Sequence, residues 1–252
     1  MMQLERLGKH GERLKRLRSR LRRRPAGEVV VDGRRLVADL VRWEVPLQEL
    51  YLTPEAAAEP ANAPLVEAAE TTWEIDGAVL ETLAPTRHPQ GVLAVVAEPQ
   101  WPSWRGDRGV ALWLDGIQDP GNLGAIVRSA AGFGARAVLL SPGCVDPFSS
   151  ASVRGAAGAV FRVPVEREVE IDDAASRARS HGGQVWAAGA GGTPISAWSP
   201  GEPLLLLIGT EGGGLSEPAA ATAEGTVTVP LERGIESLNV AVAAAVLLAH
   251  LR

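Results

Sequence analysis

Five polar side chains stand where apolar segments of this chain end: Asn122, Arg128, Glu211, Ser237 and Asn239. Asn122 and Arg128 fall in DPGNLGAIVRSAAGFGA (Asp119–Ala135), and Glu211 belongs to the TEGGG that follows the LLLLIG run of Leu204–Gly209. Ser237 and Asn239 lie in VPLERGIESLN (Val229–Asn239), which runs into a long apolar segment. The ends of strands are where α/β proteins build their sites. Arg128 supplies five donors at the end of a long reach, on a helix side shared with Gly121, Gly124, Ala125 and Gly132, where a ligand or a second backbone can come close. The glycines after Glu211 allow the same approach, as phosphate loops do. A carboxylate there repels a triphosphate, so a cationic or neutral ligand fits better. Each residue also has a plainer reading. Arg128 is equally a surface arginine in an ion pair, beside glycines chosen for helix packing. For Asn122, taken alone, an N-cap or turn role is the favoured reading, and Ser237 and Asn239 are open to the reading of plain capping residues.

Other chemistries lack their residues. There is no GxxxxGK[ST] phosphate loop. GFGARA (Gly132–Ala137) has the glycines of a dinucleotide fingerprint but ends a helix and enters a strand, the reverse of what that fingerprint requires, which disfavours a nicotinamide-dependent oxidoreductase. No serine sits in a GxSxG elbow with a histidine to pair with it. Cys144 is the only cysteine, and His10, His88, His181 and His250 are scattered, so neither a disulfide framework nor a metal site is expected.

The elements that must hold these groups follow from periodicity. Beyond residue 105 the spacing predicts strand Val110–Leu114, helix Leu123–Gly132, strand Ala137–Leu140, helix Ala151–Ala157, short strand Val160–Val163, helix Ile171–His181, strands Gln184–Ala188, Leu204–Ile208 and Thr226–Val229, and helix Asn239–Leu251. Such alternation implies a mostly parallel sheet covered on both faces. Leu123, Ile126, Val127 and Ala130 repeat at helical spacing and should pack on that sheet. The last helix is apolar nearly all round and must be buried, in the core or against another subunit. Ahead of residue 105, Glu28–Val31 reads as a strand, Arg34–Trp43 as a helix and Leu50–Leu52 as a strand, with an Ala/Glu/Pro-rich stretch and short elements at Val79–Leu83 and Gly91–Ala97. These form a small α/β unit. The linker is EPQWPSWRGDRG (Glu98–Gly109), which gives domains of 1–104 and 105–252.

With 252 residues, 46% hydrophobic and 22% charged, the chain can bury one large core or two modest ones. No apolar run approaches the roughly 18 residues of a membrane span, so a cytoplasmic location without a membrane partner is expected. The net charge of −5 is unevenly spread. Residues 1–24 carry ten Lys or Arg against Glu5 and Glu12, a +8 arm on a −13 body. That arm suits contact with a phosphate backbone. Leu4, Leu7, Leu14, Leu17 and Leu21 also recur at helical spacing, which suits a solvated amphipathic helix.

NLGAIVRSAAGFGA, LIGTEGGGLS and VPLERGIESLNVAVAAA resemble, in order and spacing, the three signature motifs of the SpoU (TrmH) family of RNA 2′-O-ribose methyltransferases. The likeness covers about residues 110–252. VVVDGRRLV (Val29–Val37) and HPQGVLAVV (His88–Val96) are similar, more weakly, to the accessory substrate-binding domain of that family, which is L30e-like. The resemblance implies an α/β fold: a C-terminal trefoil-knotted methyltransferase domain behind a small N-terminal L30e-like α/β domain. It implies S-adenosyl-L-methionine as cofactor, a homodimer, and RNA as partner, most directly 23S ribosomal RNA. A transfer RNA substrate is the alternative, as is an RNA-binding protein without activity.

Carried over by motif, Arg128 is the key catalytic arginine, Asn122 positions it, and Glu211, Ser237 and Asn239 complete the site. Cofactor contacts fall on Gly209, Val229 and Leu238, with Ile208 and Leu231 beside them. In DPFSSASVRGAAG (Asp146–Gly158) many members have Pro and Lys where this chain has Ser150 and Ala151, while Arg154 is retained as a candidate RNA contact.

Overall fold

A computed structural model describes residues 5–7, 11–22, 27–84 and 89–252. The chain divides into two compact units, Met1–Gln100 with Phe148–Arg154, and Trp101–Pro147 with Gly155–Arg252.

The first unit holds β1 (Glu5–Arg6), α1 (Glu12–Arg22), β2 (Glu28–Asp32), α2 (Arg34–Arg42), β3 (Leu47–Leu52), α3 (Pro54–Ala58), α4 (Ala63–Ala68), β4 (Ala69–Glu74), α5 (Gly77–Leu83) and β5 (Val92–Ala97). Its sheet runs β1-β4-β3-β5-β2, with β5 antiparallel to both β2 and β3. The β-branched EVVVD and VLAVVA runs fit the pleated surface and lie buried side by side. Gly33 turns β2 into α2 with φ 105°, a left-handed conformation that favours glycine.

The basic arm is less free than its composition suggests. Leu14 and Leu17 of α1 are buried in the core of this unit with Val30, Tyr51 and Leu93. Arg20, only 9% exposed, reaches Glu28 at 2.6 Å and Glu49 at 2.7 Å. Burial works to lower the Arg20 pKa, but these two carboxylates outweigh it and the net shift is upward. Tyr51 donates to the same Glu49. Burial first, then that hydrogen bond, raises the phenol. Arg13 lies over the Trp73 ring at 3.7 Å, and Lys15 pairs with Glu12. Arg16 remains exposed on the outer face of α1. Leu4, Lys9, Arg23 and Arg24 of the arm, and His88, lie outside the described residues.

The second unit, together with α7, supplies β6 (Val110–Leu114), α6 (Pro120–Gly132), β7 (Ala137–Leu140), α7 (Ser150–Gly155), β8 (Val165–Glu166), α8 (Ile171–Arg179), β9 (Gln184–Pro194), β10 (Leu204–Ile208), α9 (Glu217–Thr222), β11 (Gly225–Thr228) and α10 (Val240–His250). Its sheet runs β11-β9-β10-β6-β7-β8, with every pair parallel. Ala111, Trp113, Leu139, Leu205 and Leu207 face α8 and α9 in one core. The alternate residues Leu112, Leu114, Leu140, Leu204, Leu206 and Ile208 are buried as well, so both faces are covered. Leu123, Ile126, Val127 and Ala130 of α6 are buried as their spacing requires.

Several elements differ from the sequence expectation, among them β4 and α9, which the spacing does not predict, and two segments of the second unit. Val160–Val163 is not a strand: Gly158 takes a left-handed conformation and Ala159–Phe161 winds into a buried 3-10 turn, the strand coming later at Val165. A short apolar run satisfies either geometry, and periodicity alone does not choose. β9 does not end at Ala188 but resumes after a bulge: Thr226 pairs Ala187, while the next residue, Val227, pairs Thr193. α10 buries Val240, Ala241, Ala244, Leu247 and Leu248 but leaves Val242 48% and Val246 36% exposed. Among the described residues no helix is long and apolar enough to cross a membrane, and no His/Cys/Asp/Glu cluster suits a metal ion.

Candidate active site

The carboxyl ends of β10 and β11 and the bulge of β9 open onto one cavity of about 400 Å³. Parallel strands place their loops there, and adjacent loops diverge to leave a crevice. Ile208, Gly209, Val229, Leu231 and Leu238, the five residues expected to hold a cofactor, all line it. Glu211 and Ser237 line it too. The wall at Gly209 requires glycine: a Cβ there would meet the carbonyl of Gly214 at 2.1 Å. Thr210 and Gly214 exchange both backbone hydrogen bonds at 3.0 Å, folding the glycine turn back over the end of β10.

The polar residues meet at the edge of this cavity. Asn122 Nδ2 donates to Glu211 Oε1 at 3.1 Å, and Asn239 Nδ2 donates to the same oxygen at 2.6 Å and to Asn122 Oδ1 at 2.9 Å. The backbone N–H of Val240 adds another donor to Glu211 Oε1 at 3.1 Å. One carboxylate oxygen therefore ties the first turn of α6 and the start of α10 to the loop after β10. Each amide is fixed locally as well. Asp119 caps α6 by accepting from the Asn122 N–H at 2.7 Å. Asn239 caps α10, its Oδ1 accepting from Ala241 and Val242. Asn239 thus caps α10 and also contacts Glu211 at the rim of the cavity.

Arg128 stands apart. It is exposed on α6, and among the described residues its guanidinium has no hydrogen bond or ion pair. It does not line the cavity that holds Glu211 and Ser237. Within one chain Asn122, Glu211 and Asn239 hydrogen-bond to one another and Ser237 lines the cavity with Glu211, whereas Arg128 does neither.

Two features escaped the sequence reading. Asp115, at the end of β6, accepts from the Ser216 N–H at 2.7 Å and anchors the far end of the glycine loop. Ala188, Gly189 and Ala190 of the β9 bulge form a wall of the cavity. The AGAGG run was the available signal for the bulge, since it carries no apolar pattern. Asp115 follows an apolar strand, as many turn residues do, and nothing near it in sequence marks its partner.

With that geometry in view, the profile of the SpoU rRNA Methylase family matches residues 109–249. The chain belongs to this family. Residues 12–94 match a second profile, the MRM3-like substrate binding domain. The chain is 28% identical over 239 residues to the 23S rRNA (guanosine(2553)-2′-O)-methyltransferase RlmP of Bacillus subtilis, covering 94% of each. Among solved structures it superposes on an AdoMet-bound rRNA methyltransferase from Sinorhizobium meliloti with a TM-score of 0.82 at 27% identity, over 98% of this chain and 97% of the other. The SpoU methyltransferase AviRb from Streptomyces viridochromogenes, in complex with AdoMet, gives a TM-score of 0.81 at 26% identity, over 96% and 97%. The mixed α/β fold of this chain is therefore that of SpoU/TrmH methyltransferases.

Proposed function

We propose that this protein transfers the methyl group of S-adenosyl-L-methionine to a ribose 2′-hydroxyl of RNA, with 23S ribosomal RNA as the substrate. The observation that carries this reading is the convergence of Asn122, Glu211 and Asn239 at the rim of a glycine-walled cavity in a SpoU chain. The cavity fits the cofactor. It sits at strand ends, is walled by Ile208, Leu231 and Leu238, and presents the Glu211 carboxylate to a cationic ligand. Bound there, S-adenosylmethionine supplies an electrophilic methyl on a sulfonium centre.

A ribose hydroxyl is a weak nucleophile, and the protein's task is to orient it, exclude water and steady the charge it develops. Arg128 is the group for this. A guanidinium is effectively always protonated, so it serves as donor and counter-charge rather than base. It holds the 2′-oxygen as alkoxide character grows, and the proton leaves late, to a neighbouring phosphate of the substrate. Glu211, with its amide donors, keeps the glycine loop and α10 in register, and Ser237 faces the cavity from the other side.

The same proposal covers the domains, the assembly and the location. Residues 1–104 are the L30e-like substrate-binding domain with its basic arm, and 105–252 the methyltransferase domain. The return of the chain from edge strand β11 to a helix packed on α6 supports a trefoil knot at the cofactor site. The shallow groove along α6 and α10, lined by Ala125, Ala241, Ala245, Ala249, Val242 and Val246, supports a homodimer built on these helices. Arg128 shares α6 with that groove, and in the dimer it reaches the cavity of the second copy. The location is cytoplasmic.

Calorimetric titration with S-adenosylmethionine, followed by tritium transfer from labelled cofactor to ribosomal RNA, tests the reading. Uptake of one cofactor per chain and label on ribose is the expected outcome. Uptake without transfer to any RNA would favour the RNA-binding alternative, and no uptake would end the proposal.

A further inference from the structure

Glu211 gathers Asn122, Asn239 and the Val240 N–H from a loop that must itself be held in place. That loop leaves β10 at Ile208 and enters α9 after Ser216, and residues 211–214 are exposed. One residue outside the loop meets both of its ends. Asp115, half-buried just beyond β6, donates its backbone N–H to the Ile208 carbonyl at 2.9 Å. Its Oδ2 accepts from the Ser216 N–H at 2.7 Å. Leu215, beside Ser216, packs against the core that holds Trp113 and Leu207. Apolar packing of that kind sets no direction, whereas a hydrogen bond to an ionised carboxylate does. Asp115 does not line the cofactor cavity, but Thr210, Glu211, Gly212 and Gly214 of the loop it holds all do.

We propose that Asp115 is a positioning residue for methyl transfer, closing the Glu211 loop into a fixed ring so that Glu211 Oε1 meets its three donors in one place. The assignment rests on the methyltransferase reading and adds a residue which that reading does not use. Without the bond to Ser216 the loop is tied at its β10 end alone, and the cavity wall it forms moves with it. A displacement of about 1 Å in a positioned group costs on the order of 10²-fold in rate. What Asp115 supplies is an acceptor rather than a charge. An asparagine keeps an acceptor oxygen at the same reach, and an alanine has none. The donor can be removed separately. Ser216 has φ −60° and its side chain makes no capping hydrogen bond. Proline adopts that angle, so Ser216→Pro deletes the N–H and leaves the backbone conformation in place.

The test uses the full-length protein, with sites counted by calorimetric titration with S-adenosylmethionine and methyl transfer to ribosomal RNA followed in a single turnover at saturating cofactor and RNA. A change that only unfolds part of the sample lowers the number of sites and leaves the rate constant of each one unaltered. Asp115→Ala should lower that rate constant by about 10²-fold. Asp115→Asn should recover most of it. Ser216→Pro should match Asp115→Ala, and the double variant should be no slower than either, since both changes break the same bond. An unaltered rate constant per site in Asp115→Ala would make the residue scaffolding and overturn the proposal. So would a loss in Asp115→Asn as large as in Asp115→Ala, which would give the role to the charge. Should Asp115→Ala or Ser216→Pro not fold, the other one set against Asp115→Asn decides. Wild-type protein that takes up no cofactor, or transfers no methyl, would remove the methyltransferase reading and this assignment with it.

Discussion

On the proposed mechanism Arg128 is the residue on which the chemistry turns, and among the described residues its guanidinium has no partner. An exposed arginine without a carboxylate, on the helix that carries Asn122, is free to meet a ligand. Replacing it with alanine should therefore lower turnover by about 10²-fold or more, the usual loss for a positioned charge-stabilising group. Cofactor affinity should change little, since within one chain Arg128 is not among the residues that line the cavity, and on the dimeric reading it enters the second copy's site to meet the ribose hydroxyl. Single-turnover methyl transfer together with calorimetry separates the two quantities, and wild-type turnover would remove Arg128 from the mechanism. The three residues that meet in the structure stood out in the sequence, since Asn122, Glu211 and Asn239 lie at the ends of apolar segments. Their hydrogen bonds did not. Asn122 and Glu211 are 89 positions apart, and Asn122 and Asn239 are 117 apart. Local periodicity says nothing about contacts at such separations.

At the scale of elements, Asn239 both caps α10 and ties it to Glu211. The two roles can be separated. Asn239→Ala loses both and should cost about 1 kcal/mol of stability from the cap alone. Asn239→Ser keeps a capping oxygen but loses the amide that reaches Glu211, so it should recover most of the stability and little of the activity. Urea denaturation and methyl transfer on the same two variants check this. If the serine variant regains full activity, Asn239 serves only the helix.

Elements with strong patterns were readable in advance, and weaker ones were not. Leu204–Ile208 is five apolar residues in a row, the signature of a strand buried on both faces, and its boundaries were correct. Val160–Val163 is VFRV, broken by Arg162, and lies just after the left-handed Gly158, so that Ala159–Phe161 winds into a 3-10 turn. The β9 bulge and the short α9, EPAAAT, have too little apolar pattern to show. In α1 the apolar stripe was plain, but nothing distinguished Arg20 from its neighbours, because its partners Glu28 and Glu49 lie on strands elsewhere in the unit.

The whole molecule joins two compact units, one matching a substrate-binding profile and one a methyltransferase profile. Val242 and Val246 stay exposed on a helix that is otherwise apolar and largely buried. On a dimeric reading they meet their counterparts, and a charge there is unpaired at an apolar contact. Val246→Asp should leave the fold intact, shift the protein from dimer to monomer in sedimentation equilibrium, and reduce methyl transfer along with dimer content. A monomeric wild-type protein with full activity would refute the homodimer.

The most direct measurement is ribose-methylation mapping across 23S ribosomal RNA from cells lacking this chain, then from the same cells carrying the wild-type or the Arg128→Ala protein. One 2′-O-methyl mark should vanish with the chain, return with the wild type, and stay absent with the variant. A full set of marks in the cells that lack the chain would contradict the assignment of 23S RNA as its substrate.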